Sequence, residues 1–177
     1  MKRLLIVVDY QRDFVEGALG FPCAEALDGP IADRIAAYRA AGDDVAFTLD
    51  THGPDYPATE EGQWLPAAHC LRGSPGWSLY GRTGEARRPE DPVFEKETFP
   101  SLALGEWLRE RDYGQVELCG LVSHICVLSN AVMVKAALPN AHITVDARLT
   151  ASYDPALHQK ALDVLEGIHV TVTGREG

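Results

Sequence analysis

Cys126 stands at the end of the run Gly120-Leu121-Val122-Ser123-His124-Ile125-Cys126, where a strand-like stretch gives way to a helix-like one. A cysteine near a helix N-terminus is a candidate nucleophile, because free N–H groups and the helix dipole stabilise a thiolate. Two further reactive side chains fall at equivalent places: Asp9 closes the apolar run Leu4 to Val8, and Lys96 closes Val93 to Lys96. An ammonium beside a thiol favours its ionised form, and a carboxylate can take the thiol proton and return it to a leaving amine. N–H groups around Val122 and Cys126 could receive the oxyanion of a tetrahedral intermediate. Taken alone, Cys126 reads as a small buried hydrophobe, as free cysteines usually are. Its convergence with Asp9 and Lys96 on matching strand ends weighs against that reading. Cys23, Cys70 and Cys119 keep it.

A second constellation is Asp50-Thr51-His52, Glu60-Glu61 and His69-Cys70. Two imidazoles with carboxylates suit a divalent transition ion such as zinc, manganese or iron. Asp-x-His just past a strand puts both side chains at a pocket mouth. A solvated or hydrogen-bonded loop histidine is the competing reading, since loop ligands have no diagnostic interval.

The elements that must position these residues alternate along the chain. Strand-like stretches are Leu4 to Val8, Val45 to Leu49, Val93 to Lys96, Val116 to Leu121, Ile143 to Asp146 and Ile168 to Val172. Helical spacing runs from Ile31 to Ala41, stopped by Gly42. A second helix is capped by Ser101 and reaches about Asp112. A third runs from about Ile125 to Leu138 and is stopped by Pro139, and a fourth opens at Asp154-Pro155 and continues to Glu166. The stretch from Thr51 to Pro92 is rich in Gly and Pro and weakly periodic, which marks a functional segment or short elements without a visible period. This alternation predicts one doubly wound α/β domain over residues 1–177, with helices flanking a mostly parallel sheet. In such a sheet ligands bind outside the carboxyl ends of the strands, where the reactive side chains fall.

Composition narrows the partners. The chain has 177 residues, 16 Lys+Arg against 26 Asp+Glu and a formal net charge of −10. An acidic surface repels phosphate backbones and anionic lipid, which argues against nucleic acid and membrane partners. The apolar run after Met1-Lys2-Arg3 is five residues long and ends at Asp9, so it reads as a buried strand rather than a signal peptide. The four cysteines form no CxxC pair and are expected reduced in a cytoplasmic setting.

Five motifs, in order, resemble the isochorismatase-like cysteine hydrolases, and the nicotinamidases among them, over essentially the whole chain. Val7-Val8-Asp9-Tyr10-Gln11-Arg12-Asp13-Phe14 is similar to an apolar strand followed by D-x-Q-x-D-F. Thr48-Leu49-Asp50-Thr51-His52 is similar to T-x-D-x-H, and Leu65 through Gly76 to P-x-H-C-x-x-G-T-x-G. Phe94-Glu95-Lys96 and Gly120 through Val127 complete the set. The resemblance implies a six-stranded parallel sheet of order 3-2-1-4-5-6 and an Asp9-Lys96-Cys126 triad. It also implies a non-proline cis peptide at Val122–Ser123, next to the oxyanion site.

It further implies a divalent metal, a small carboxamide substrate cleaved to carboxylate and ammonia through a thioester, and a homo-oligomer. The sequence departs from the family in the metal shell. A histidine expected six positions after His52 is Ala58, and Glu61 takes its place with Glu60 as competitor, giving Asp50, His52, Glu61 and His69 as the ligand set. Phe14 is read as a pocket wall, with Trp64 and Leu65 near the place of the family's other pocket aromatic. Ser123-His124 replaces the commoner Thr-Asp, and His124 is read as a cap or supporting residue rather than a base. Relatives acting on ureido, carbamoyl or biuret-type substrates are the alternative activity, and a non-catalytic binding protein on the same scaffold is the alternative class.

Overall fold

The computed structural model describes residues 2–175. Six strands form one sheet: β1 (Arg3–Val8), β2 (Asp44–Asp50), β3 (Val93–Lys96), β4 (Gln115–Leu121), β5 (His142–Ala151) and β6 (Thr171–Thr173). Their order is β3-β2-β1-β4-β5-β6, and every neighbouring pair is parallel. This is the expected topology, with the reversal of strand order falling between β1 and β4.

β1 is a continuous apolar run because both faces of the sheet are covered, as in other doubly wound folds. On one face α2 (Asp28–Ala40) sets Ile31, Ile35 and Tyr38 against Leu5, Val7, Phe47 and Leu121. On the other lie α5 (Leu102–Arg109), α6 (Leu128–Ala137) and α7 (Pro155–Gly167). They bring Leu104, Leu108, Ala131, Val134, Leu162 and Leu165 to Leu4, Ile6, Val8 and Leu118. Ser101 caps α5 through the Leu104 N–H at 3.1 Å, as its position predicts. Gly120 sits at φ +107°, and a Cβ there would lie 2.0 Å from the Val8 carbonyl oxygen. Only glycine therefore lets β4 close on β1 beside the site.

Beyond shifts of a few residues at the ends of α2 and α5, the largest differences from the sequence reading lie in β5, β6 and the turn before α6. β5 continues five residues past Asp146 to Ala151. The last strand starts at Thr171 rather than Ile168, because the N–H groups of Ile168, His169 and Val170 close the end of α7. The helix expected from Ile125 begins as a wider turn over Ser123–Val127 before α6. The Thr51 to Pro92 stretch holds two short helices, α3 (Glu60–Trp64) and α4 (Gly81–Glu85), and two 3₁₀ turns at Tyr56–Ala58 and Pro75–Trp77. The remaining helix, α1, is the single turn Arg12–Val15 after β1.

Candidate active site and metal centre

Parallel pairing places the ends of β1, β2, β3 and β4 side by side. Val8 pairs with Thr48 and Gly120, and Asp50 pairs with Lys96. Asp9 is wholly buried just past β1, at φ +46°. One of its oxygens accepts the Thr48 hydroxyl at 2.6 Å, and the other meets Lys96 Nζ at 2.6 Å. Lys96 Nζ also lies 3.5 Å from Cys126 Sγ, 3.4 Å from Asp50 Oδ1 and 3.0 Å from the Thr98 carbonyl. The three residues expected to form the triad thus meet within hydrogen-bond reach.

The charge states follow from this packing. Burial disfavours a charged Lys96, yet Asp9, Cys126 and Asp50 together hold it protonated. Burial lifts Asp9 above the usual carboxylate range even against the Lys96 charge, which makes it a better proton acceptor than an ordinary aspartate. Burial and the Asp9 charge push the Cys126 thiol well up, and Lys96 only partly offsets them. Lys96 thus favours the thiolate as expected, while burial and the Asp9 charge oppose it.

Asp50, His52, Glu61 and His69 bring one donor atom each to a common point, all within 4.8 Å of one another. Asp50 Oδ2 lies 3.0 Å from His52 Nε2 and 3.1 Å from His69 Nε2. Glu61 Oε1 lies 3.8 and 3.6 Å from the same nitrogens. His69 Nδ1 is within 2.8 Å of the Ala67 carbonyl, which fixes its proton there and leaves Nε2 with a lone pair for a cation. Glu60 instead accepts from the Trp64 indole at 3.0 Å on the surface, so the geometry selects Glu61. Burial opposes ionisation of Asp50, but His52, His69 and Lys96 hold its pKa well below the ordinary carboxylate range. Burial and the nearby Asp50 charge raise Glu61. Burial works against a charged His69, yet the Asp50 and Ala67 hydrogen bonds lift it above its ordinary value. Two buried imidazoles and two carboxylates with converging donors fit a divalent ion.

A cavity of about 420 Å³ opens on Cys126, Asp50, Glu61 and His69, with Phe14, Leu65, Phe99, Ile125 and Tyr153 among its walls. Phe14 stacks obliquely on His69 with ring centroids 5.5 Å apart, so it lines the cavity as expected. Leu65 does so too, but Trp64 does not. The Trp64 side chain is 83% exposed and lines a neighbouring outer cleft, because its bond to Glu60 turns the indole outward. The cis peptide lies at Leu121–Val122, not at Val122–Ser123. Val122 is itself extended, and its carbonyl accepts from the N–H groups of Ile125 and Val127, both at 3.2 Å, at the start of the turn. His124 does not cap the turn; its Nε2 lies 3.3 Å from the Tyr153 hydroxyl.

Supporting residues carried no assigned role in the sequence reading. Gln11 is fully buried; its amide oxygen accepts from Asp50 N–H at 2.8 Å and its Nε2 donates to the Asp50 carbonyl at 2.9 Å. Asp13 Oδ2 accepts from Cys70 N–H at 2.7 Å, pinning a residue at φ +45° beside His69. Tyr56 packs on both imidazoles, with ring centroids 4.7 and 5.1 Å away. Asn130 donates to the Cys126 carbonyl at 2.8 Å. The only signal for Gln11 and Asp13 was their place beside Asp9 in the first motif. All four cysteines carry free thiols, and no helix among the described residues is long and apolar enough to cross a membrane.

A thiol, a carboxylate and an ammonium thus meet at the carboxyl edge of a doubly wound parallel sheet. The chain belongs to the isochorismatase family, whose domain matches residues 3–176. It is similar to the nicotinamidase/pyrazinamidase PncA of Bacillus subtilis, whose crystal structure superposes with a TM-score of 0.87 at 30% identity, covering 98% of this chain and 100% of that one. It is 29% identical to the nicotinamidase/pyrazinamidase of Mycobacterium tuberculosis over 73% of this chain and 76% of the relative. The N-carbamoylsarcosine amidase of Thermoplasma acidophilum superposes with a TM-score of 0.80 at 28% identity, covering 100% and 99% of the two chains.

Proposed function

We propose that the protein is a metal-bearing cysteine amidohydrolase that converts a small planar carboxamide of the nicotinamide type to its carboxylate and ammonia. One observation carries the reading: a single buried ammonium, Lys96, touches the general-base candidate Asp9, the thiol of Cys126 and the metal-ligand candidate Asp50. The carboxamide enters the apolar cavity with Phe14 as one wall. Asp9 takes the Cys126 proton as sulfur attacks the carbonyl carbon, and the N–H groups of Val122 and Cys126 receive the developing oxyanion. Asp9 then gives that proton to the departing nitrogen, ammonia leaves, and a thioester remains. Water, deprotonated by Asp9, attacks the thioester; the carboxylate departs and the sulfur regains a proton. Lys96 stays charged throughout and keeps Asp9 oriented.

Asp50, His52, Glu61 and His69 would hold a zinc, manganese or iron ion. When bound, it supplies a Lewis-acid point for a ring nitrogen, fixing the carboxamide against Cys126. Ammonia release is measured over nicotinamide, pyrazinamide, N-carbamoyl compounds and biuret, with and without each metal. Turnover confined to the heteroaromatic amides is expected. Turnover confined to N-carbamoyl compounds or biuret moves the substrate to the carbamoyl class, and none with any amide rejects the proposal.

A further inference from the structure

The turn Ser123–Val127 carries the sulfur and separates the two candidate oxyanion donors, so whatever holds this turn sets the geometry of the reaction. One end is held from within its own layer, where Asn130 on α6 donates to the Cys126 carbonyl at 2.8 Å. The other end is held from elsewhere. Ser123 is fully buried, and its hydroxyl lies 2.9 Å from Nδ1 of His158, a residue 35 positions away on α7.

α7 is itself fixed at that point. Asp154 accepts from the N–H groups of Ala156 and Leu157 at 2.8 and 3.1 Å, Pro155 opens the helix, and the Asp154 N–H donates to the Ser152 hydroxyl at 2.9 Å. His158 is thus presented from a capped first helical turn, its own N–H bonded to the Asp154 carbonyl at 2.9 Å. A second tie, His124 to Tyr153, joins the same turn to the same corner at 3.3 Å.

We infer that His158 is a positioning residue for the hydrolysis proposed above, acting through the Ser123 hydroxyl to hold the nucleophile turn in register with the oxyanion site. The inference rests on that reading for its kinetic consequence but not for its structural one. Burial, and then the positive charge of Arg175 and the neighbouring His124, hold the His158 pKa below the ordinary imidazole value, so a neutral ring faces Ser123. A neutral ring and a hydroxyl can satisfy each other without any net charge being placed behind the reacting centre. Displacements of about 1 Å at a reacting centre cost up to about a hundredfold in rate, which is the scale such a tie controls.

The test uses His158→Leu, His158→Asn, Ser123→Ala and the double variant His158→Leu/Ser123→Ala, each checked by thermal melting. Asn offers a hydrogen-bonding atom at about the position of Nδ1; Leu offers none. Two readouts are taken: kcat and KM on the carboxamide turned over by the parent, and hydrogen exchange of the amides from 122 to 127. His158→Leu is expected to lower kcat about 10–100-fold with KM changed less than about twofold, and to speed exchange across the turn. His158→Asn is expected to recover most of both. The double variant is expected to be no worse than the weaker single, because both remove one bond. Should His158→Leu fail to fold, Ser123→Ala removes the same bond from the other end and must show the same losses. Unchanged exchange and kcat in His158→Leu overturn the inference, as does a kcat loss that Asn does not recover and that adds to that of Ser123→Ala. A parent inactive on every amide, with exchange still accelerated in His158→Leu and recovered in His158→Asn, removes the amidase reading and leaves the positioning role standing.

Discussion

Asp9 and Lys96 sit at the ends of β1 and β3 and Cys126 on the turn that follows β4, whereas His52, Glu61 and His69 come from the irregular stretch between β2 and β3. Sheet register fixes Asp9 and Lys96: once Val8 pairs with Thr48 and Gly120, and Asp50 with Lys96, both have little freedom left, and Cys126 follows on the turn after β4. The loop half has no such template and is assembled by side chains that bond to backbone, Gln11 to Asp50 and Asp13 to Cys70. Positions set by register tolerate changes in neighbouring side chains, whereas the turn that carries Cys126 depends on its ties to Asn130 and His158. A half built by side chains loses geometry when any supporting bond goes.

The largest effect expected falls on the strand-end half. Cys126→Ser removes the group that becomes the thiolate, and Asp9 is too weak a base for a serine hydroxyl. Turnover is expected to fall by about 10³-fold or more while melting and ligand binding stay near those of the parent. Full activity in Cys126→Ser would reject the thioester route. Cys119→Ser is the control, since that thiol is buried inside β4 facing the Ile6 carbonyl. Iodoacetamide followed by peptide mapping separates the two, with Cys126 protected by a bound amide.

Lys96→Ala tests whether both halves lean on one ammonium. It leaves Asp9 buried without its counter-ion, a change of the kind that costs about 3–5 kcal/mol of stability. Denaturant melts and ammonia release should show both a lower midpoint and lost turnover. A variant that loses activity at unchanged stability would confine the role of Lys96 to chemistry.

The loop half predicts a metal dependence. The His52→Ala/His69→Ala variant is expected to lose the bound divalent ion by elemental analysis. The parent should also gain about 2.7 kcal/mol in stability at an ion concentration 100 times its Kd, and the variant should not. Equal metal content in both would reject the site. Between the two adjacent carboxylates, Glu61→Gln is expected to weaken metal affinity about tenfold or more, and Glu60→Gln to leave it within about twofold. The reverse order would reassign the ligand.

The smallest effect lies outside both halves and serves as a reference for pH. Hydrogen bonds from Arg148, then Arg34, hold Asp146 down to about 2. Its folded pKa is below the ordinary value of 3.8, so its contribution to stability is complete above that value and disappears as pH falls toward about 2. Asp146→Asn is expected to flatten the acid limb of a stability-pH profile over that window without moving the activity profile near neutrality.

What the sequence disclosed follows the same division. The boundaries of β3 and the residues Asp9 and Lys96 were readable because apolar runs end at reactive side chains and parallel strands end together, and Cys126 because it follows a strand at a helix start. The ligands His52 and His69 were readable as types but not as a cluster, since their approach depends on α3 and on a residue at positive φ, Cys70. The outward turn of Trp64 depends on one bond to Glu60 that no spacing reveals. The position of the cis bond was off by one because no residue preference marks a non-proline cis peptide.

The buried charges around Lys96 are governed by electroneutrality. Asp9, Asp50 and Glu61 can place three negative charges around it, and Lys96 supplies one positive charge, leaving a surplus of two. That surplus equals the charge of one divalent ion. Without such an ion, protons can supply the balance: burial raises Asp9 and Glu61, and hydrogen bonds to Asp50 and Ala67 raise His69. Proton and metal are then alternative counter-charges for one buried cluster, so loading the ion should release protons to the medium, more of them at acid pH than at alkaline pH.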